Sequence, residues 1–350
     1  MSGSRYLISL FTIAALGLCG IAAANYLLDP AHLFQSGSYE DRLASRLLAG
    51  ETVAATNHDD RFLQKRLIEA RRDPADTIVL GSSRAMEIGS GFFKGRRVRN
   101  HSVHGGALED YLALTGLYEE NGGFHPAEAV LCVDPWIFNR HHGQKRWSSL
   151  APEFARMERR LGGGSVAARP SGSFDKYVQL FSLKYLLASL VSSSRVSGEA
   201  AKGTEMRLLP DGSIRYNDVY VAAGPSEVAA RALRYVERKP IYSLGEFRTL
   251  DAGYVKTFEA LVEWMRSKGT RVRIVLLPYH PRVYARIAAA DEYRGVREAE
   301  DYLKAFGSGK LDISGSYDPV AAGCTEADFY DGMHARPSCL EKVMTGKRDI

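Results

Sequence analysis

The stretch "DTIVLGSSRAM", residues 76–86, decides the fold. Ile78, Val79 and Leu80 form a short continuous apolar run, which reads as a strand buried on both faces. Gly81, Ser82 and Ser83 then turn the chain toward a helix start. The pattern recurs along the chain. "RRVRNHSV" (96–103) is a weaker strand, and "ALEDYLALTGLYEENGG" (107–123) is a helix that stops at glycines. "EAVLCVDPW" (128–136) is another buried strand, and "AGYVKTFEALVEWMRSKG" (252–269) is an amphipathic helix with glycine past its end. "RVRIVLLPYHP" (271–281) is a strand stopped by proline, "DEYRGVREAEDYLKAFG" (291–307) a helix, and "KLDIS" (310–314) a last short strand. A helix also spans 59–72, whereas 29–59 reads as irregular. Strands alternating with helices predict an α/β fold, a doubly wound five-stranded parallel sheet with helices on both faces. In such sheets functional groups collect beyond the carboxyl ends of the strands.

The chain has 350 residues and a net charge of +5. No stretch alternates basic with aromatic residues as a single-strand-binding groove does, so nucleic acid is set aside as a partner. "YLISLFTIAALGLCGIAAA", residues 6–24, carries no charge and has the length of a helix that crosses roughly 30 Å of hydrocarbon. Arg5 precedes it and Asp29 follows, which places the short N-terminal tail in the cytoplasm. The competing reading is a cleaved signal peptide, since Ala22 and Ala24 make a small-residue pattern before Asn25. The retained anchor is preferred because the apolar run exceeds a usual signal-peptide core. Under either reading the rest of the chain lies outside the cytoplasm.

Five spans follow: tail and anchor (1–28), linker and leading helix (29–75), sheet domain (76–139 and 251–350), and an insertion (140–250) between the third and fourth strands. The insertion holds 18 lysines and arginines against 10 acidic residues, so the excess positive charge is local. Within it, Asp211-Gly212 reads as a hairpin turn between short strands. Of the four cysteines, Cys19 lies in the anchor and Cys132 in an apolar run. Cys324 and Cys339 flank "DFYDGMHARPSC" and are a candidate disulfide in an oxidising compartment. Closing such a loop is worth roughly 3 kcal/mol in the chain-entropy picture. The alternative is two free thiols.

Three stretches carry chemistry. A hydroxyl in "GSSR" sits where backbone N–H groups stabilise developing negative charge, yet Ser82 or Ser83 also reads as a plain N-cap. In "NHSVHGG" (100–106), Gly105 and Gly106 permit close backbone approach, or form a simple strand-to-helix turn. In "DGMH", Asp331 three residues before His334 can accept the imidazole Nδ1–H and leave Nε2 free as a base. His280, at the end of a strand, is a candidate substrate contact or a capping residue. No clustered Cys/His spacing marks a metal site, and no phosphate loop or dinucleotide fingerprint marks a cofactor.

Taken together and in order, these blocks resemble the SGNH/GDSL hydrolase superfamily, over residues 76–139 and 270–345. The resemblance implies a flavodoxin-like three-layer α/β/α sandwich carrying a serine esterase or acyl-transfer site. It implies that Ser83 is the nucleophile, with Asp331 and His334 as its relay, and that the N–H groups of Ser83 and Gly105 form an oxyanion hole. Asn100 corresponds to the second block's asparagine. Two departures stand out. Ser82 replaces the usual aspartate, and Asp134 falls near the place of an asparagine that serves the oxyanion hole. A carboxylate cannot donate there, so Asp134 is expected to hold a substrate hydroxyl, or to pair with Arg84 or Arg140. Arg84, Asn100, Asp134 and His280 are therefore the expected substrate-side residues. The anchor-plus-blocks layout is similar to that of the D-alanine transfer protein of teichoic acid synthesis and the alginate O-acetylation proteins. That similarity implies an envelope or exported polysaccharide as substrate and a multi-pass membrane O-acyltransferase as partner, with the domain on the periplasmic face of the inner membrane. The expectation is an extracytoplasmic O-acyltransferase or O-acyl esterase needing no cofactor. The alternative is a catalytically silent anchored module that binds polysaccharide or a partner.

Overall fold

The computed structural model describes residues 3–28, 38–55, 58–71, 73–163, 181, 186 and 206–346. Five strands form one sheet: β1 (Thr77–Leu80), β2 (Val98–Asn100), β3 (Glu128–Cys132), β4 (Arg271–Leu276) and β5 (Asp312–Gly315). All are parallel, in the order β2-β1-β3-β4-β5. This is the flavodoxin-type order, with the reversal of direction between β1 and β3.

Alternation along the central strands explains the three layers. Ile78, Leu80, Ala129, Leu131, Ile274 and Leu276 face one core, beneath helices Leu108–Glu120, Ala252–Ser267 and Arg294–Gly307. Val79, Val130, Cys132 and Val275 face the other, beneath helix Pro337–Thr345. Every residue of β1 and β3 is buried, which is why both read as unbroken apolar runs.

Three regions depart from the expected spans. The stretch read as irregular contains helix Ser38–Leu48 and strand Val53–Ala55. That strand pairs antiparallel with Met206–Leu208, which pairs with Ile214–Arg215 across the expected Asp211-Gly212 hairpin. The described parts of 140–250, read as an insertion, contribute to the main core. Trp147, Phe154, Ala232, Ile241, Leu244 and Phe247 all lie in the main core. Five residues beyond the end of β4, Pro281 opens a further helix, Pro281–Ala289, because proline is well suited to the first helical position. Near the N-terminus, helix Gly3–Leu28 contains one span, Ile8–Leu27, long and apolar enough to cross a membrane and almost wholly unburied.

Candidate active site

β1 delivers Ser83 to the carboxyl edge of the sheet. A Cβ on Gly81 would lie 2.8 Å from the Ala85 Cβ and 3.0 Å from the Cys132 Cβ, so the turn after β1 requires glycine. The segment that follows is a single 3-10 turn, Ser83–Ala85, rather than the helix expected from the sequence. Any anion there must therefore rest on individual N–H groups more than on a helix dipole. Ser82 caps the turn, its Oγ accepting the Arg84 N–H at 3.2 Å. The capping reading of "GSSR" thus falls to Ser82.

Ser83 Oγ lies 3.0 Å from His334 Nε2. His334 Nδ1 lies 2.9 Å from Asp331 Oδ2 and 3.1 Å from Oδ1. The tail turn that holds this pair is closed by the Phe329–Ala335 bridge and by the Tyr330 N–H donating to the His334 carbonyl at 2.9 Å. Cys324 and Cys339 bracket it at disulfide distance, with sulfurs 2.07 Å apart. Asp331 Oδ1 accepts the backbone N–H of Met333 at 2.7 Å and of His334 at 2.8 Å. Burial opposes the charge on Asp331. The His334 charge and hydrogen bond and these two amides outweigh it, holding the carboxyl below its ordinary range. With Asp331 ionised, the imidazole proton belongs on Nδ1, and Nε2 is left to accept from the Ser83 hydroxyl.

Gly105 has a positive φ of 62°. A Cβ there would sit 2.5 Å from Gln144 Oε1 and 2.7 Å from the Tyr242 hydroxyl, so its place suits glycine twice over. Gly106 packs equally closely on Gly81, its would-be Cβ 2.5 Å from the Gly81 carbonyl. Among the described residues no acceptor takes the N–H of Ser83 or of Gly105.

The four expected substrate-side residues are placed differently. Arg84 is buried, and its Nη1 donates to Asp134 Oδ1 at 2.6 Å. Its other N–H groups donate to the carbonyls of Met333 (3.1 Å), Pro278 (2.8 Å) and Leu277, and its guanidinium lies over the Tyr279 ring. Asp134 is therefore an ion-pair partner of Arg84, while Arg140 pairs instead with Asp251 at 3.1 Å. Asn100 is fully buried. Its amide donates to the carbonyls of Ala85, Met86 and Ile88, and its Oδ1 accepts the Ser102 N–H. That amide is spent bracing the loop after Ser83. His280 has no exposed surface; its Nδ1 accepts the Arg282 N–H and so caps helix Pro281–Ala289. Burial depresses its basicity. None of these four is open to a ligand.

Three neighbours of the site were not picked out from sequence. Glu87 lies beneath Tyr330, whose hydroxyl donates to it at 3.4 Å, and burial pushes its carboxyl up to about 7. Tyr220 and Tyr235, from the segment read as an insertion, both reach Asp331. No local pattern marks these tyrosines, because their partner lies about a hundred residues away in the chain. Among the described residues no group of three or more His, Cys, Asp or Glu is placed to hold a metal ion. The geometry is that of a hydroxyl with a base and the base's orienting carboxylate. Compared with family models and with curated proteins, the chain matches none of either.

Proposed function

We propose that the protein is an extracytoplasmic serine acyl-transfer enzyme, an O-acyltransferase or O-acyl esterase acting on a cell-envelope or exported glycan. The observation that carries this reading is the Ser83 Oγ to His334 Nε2 distance of 3.0 Å, bridging residues 251 positions apart. In the proposed reaction Ser83 Oγ attacks an ester carbonyl carbon as His334 Nε2 takes the hydroxyl proton. The carbonyl oxygen becomes an oxyanion facing the N–H groups of Ser83 and Gly105. The intermediate collapses by breaking the bond to the leaving alkoxide, which receives the proton from His334. Water or a sugar hydroxyl then attacks the acyl-serine, with His334 again taking and returning one proton.

Support for the compartment comes from the apolar span Ile8–Leu27 with Arg5 before it, and from a cysteine pair at disulfide distance. The polysaccharide substrate and a multi-pass membrane O-acyltransferase partner follow from the resemblance of the anchor-plus-blocks layout alone. The second reading, a catalytically silent module, is motivated by Asp134 standing near the place of an oxyanion-hole asparagine; Asp134 is ion-paired with Arg84 and supplies no donor there. The test uses the full chain in detergent, wild type beside Ser83→Ala, with a fluorophosphonate probe and p-nitrophenyl acetate. Wild type is labelled and releases p-nitrophenol; Ser83→Ala does neither. Equal traces for the two proteins would sink the reading.

A further inference from the structure

Asp331 Oδ2 serves three donors at once. His334 Nδ1 lies 2.9 Å away, and the Tyr220 hydroxyl donates at 2.7 Å and the Tyr235 hydroxyl at 3.3 Å. The two tyrosines come from one stretch, helices Asp218–Val221 and Pro225–Glu237, which is strapped to the turn carrying Asp331. Arg231 Nη1 donates to the carbonyls of Tyr220 (3.2 Å) and Tyr330 (3.3 Å), with its guanidinium 4.5 Å from the Tyr220 ring centre. From the turn side, Arg336 donates to the carbonyls of Val221 (3.0 Å) and Ala223 (3.3 Å). Orienting the imidazole requires only one acceptor, and the two backbone amides on Oδ1 already fix the carboxylate plane. The phenols therefore add something beyond placement of Asp331.

We propose that Tyr220 and Tyr235 are positioning residues that disperse the Asp331 charge and so set how firmly the carboxylate holds a protonated His334. This rests on the acyl-transfer reading above. Donors on a carboxylate draw charge away from its oxygens, and a hydrogen bond to a charged group is worth about 1.5–3 kcal/mol. With a phenol removed, more charge remains on the oxygen facing Nδ1, the imidazolium is stabilised, and His334 accepts the Ser83 proton only at higher pH. Burial first, and then the Asp331 charge, raise both phenols above their ordinary range, so they remain donors across the pH range tested.

Other charged and titratable groups surround the pair and stay in place in the variants. Glu87 and Asp134 act on His334 through space, and the Tyr216 ring lies 5.9 Å from the imidazole. His280 and Tyr216 act on Asp331 in the same way. Glu87 titrates near pH 7, so each profile is also run in the Glu87→Gln background, which removes that contribution.

The experiment measures the rate of Ser83 labelling by a fluorophosphonate against pH for the full chain, with Tyr220→Phe, Tyr235→Phe and the double variant. Phenylalanine keeps each ring. The acid limb of the profile moves up by about half a pH unit in Tyr220→Phe, less in Tyr235→Phe, and about one unit in the double variant. An unmoved limb, or a uniform loss of rate at every pH, overturns the proposal, because a purely structural role gives the latter. If Tyr220→Phe fails to fold, Tyr235→Phe alone decides by the same criterion. A wild type that is not labelled at Ser83 overturns the acyl-transfer reading itself, whereas a labelled wild type with unmoved variants overturns only the role of the tyrosines.

Discussion

Ser83 and Arg84 are adjacent on the turn after β1, and each reaches one residue of the 333–334 pair. Ser83 meets the His334 ring, and Arg84 meets the Met333 carbonyl. Their surroundings are opposite. Ser83 is half-buried, its hydroxyl engages one base, and its N–H has no acceptor among the described residues. Arg84 is 3% exposed and saturated by Asp134, three carbonyls and an aromatic face, which leaves it nothing to offer a ligand. The difference shows how one short turn divides its work. The residue with donors to spare is the one proposed to react, and the saturated residue fixes where the tail of the chain lies.

That contrast can be broken at its strongest point by removing the base. His334→Ala is expected to lower Ser83 labelling on the order of 10³-fold or more, while the urea midpoint stays close to wild type. A loss below tenfold would erase the distinction between the neighbours. The reverse outcome is expected of Arg84→Met. Leaving Asp134 buried without its partner costs about 3–5 kcal/mol, read as a lowered urea midpoint by tryptophan fluorescence. If Arg84→Met unfolds at the wild-type midpoint, the saturated pair is not what seats the tail.

A smaller effect sharpens the comparison on the same turn. Glu87 has a folded-state carboxyl raised by burial to about 7, from an ordinary value of 4.5. Between those values the folded protein binds more protons than the unfolded chain. Its contribution to stability is therefore fully present below pH 4.5 and is lost as pH rises through 7. Wild type should lose on the order of 2 kcal/mol between pH 4.5 and 7.5 that Glu87→Gln keeps. Parallel curves for the two proteins would show that Glu87 ionises freely in the fold.

Much of this arrangement is written locally in the chain. Strands β1 and β3 are legible because both their faces are buried and each carries an unbroken apolar run after its first residue. The Asp331–His334 pair is legible because it needs only an i, i+3 spacing, whereas Ser83 and Gly105, which locally read equally as a cap and a turn, are singled out only by the resemblance of the ordered blocks. The residues that eluded the sequence are those whose roles depend on distant partners. Tyr220 finds Asp331 across 111 positions and Tyr235 across 96, whereas the Arg84–Asp134 pair is among the pairings the sequence offers. The amide of Asn100 is consumed by three carbonyls that only the folded loop brings together. Strand Val53–Ala55 is three residues long and finds its partner beyond residue 200, so no periodicity could mark it.

The separation of 251 residues between Ser83 and His334 has a consequence for synthesis. A ribosome delivers the serine, its glycine turn and the first three strands of the sheet well before the imidazole exists. On the proposed mechanism, a nascent or truncated chain carries the nucleophile without the means to activate it. Reactivity would then be acquired only when the last strand and the tail turn have docked, with the finished tertiary structure itself as the on-switch.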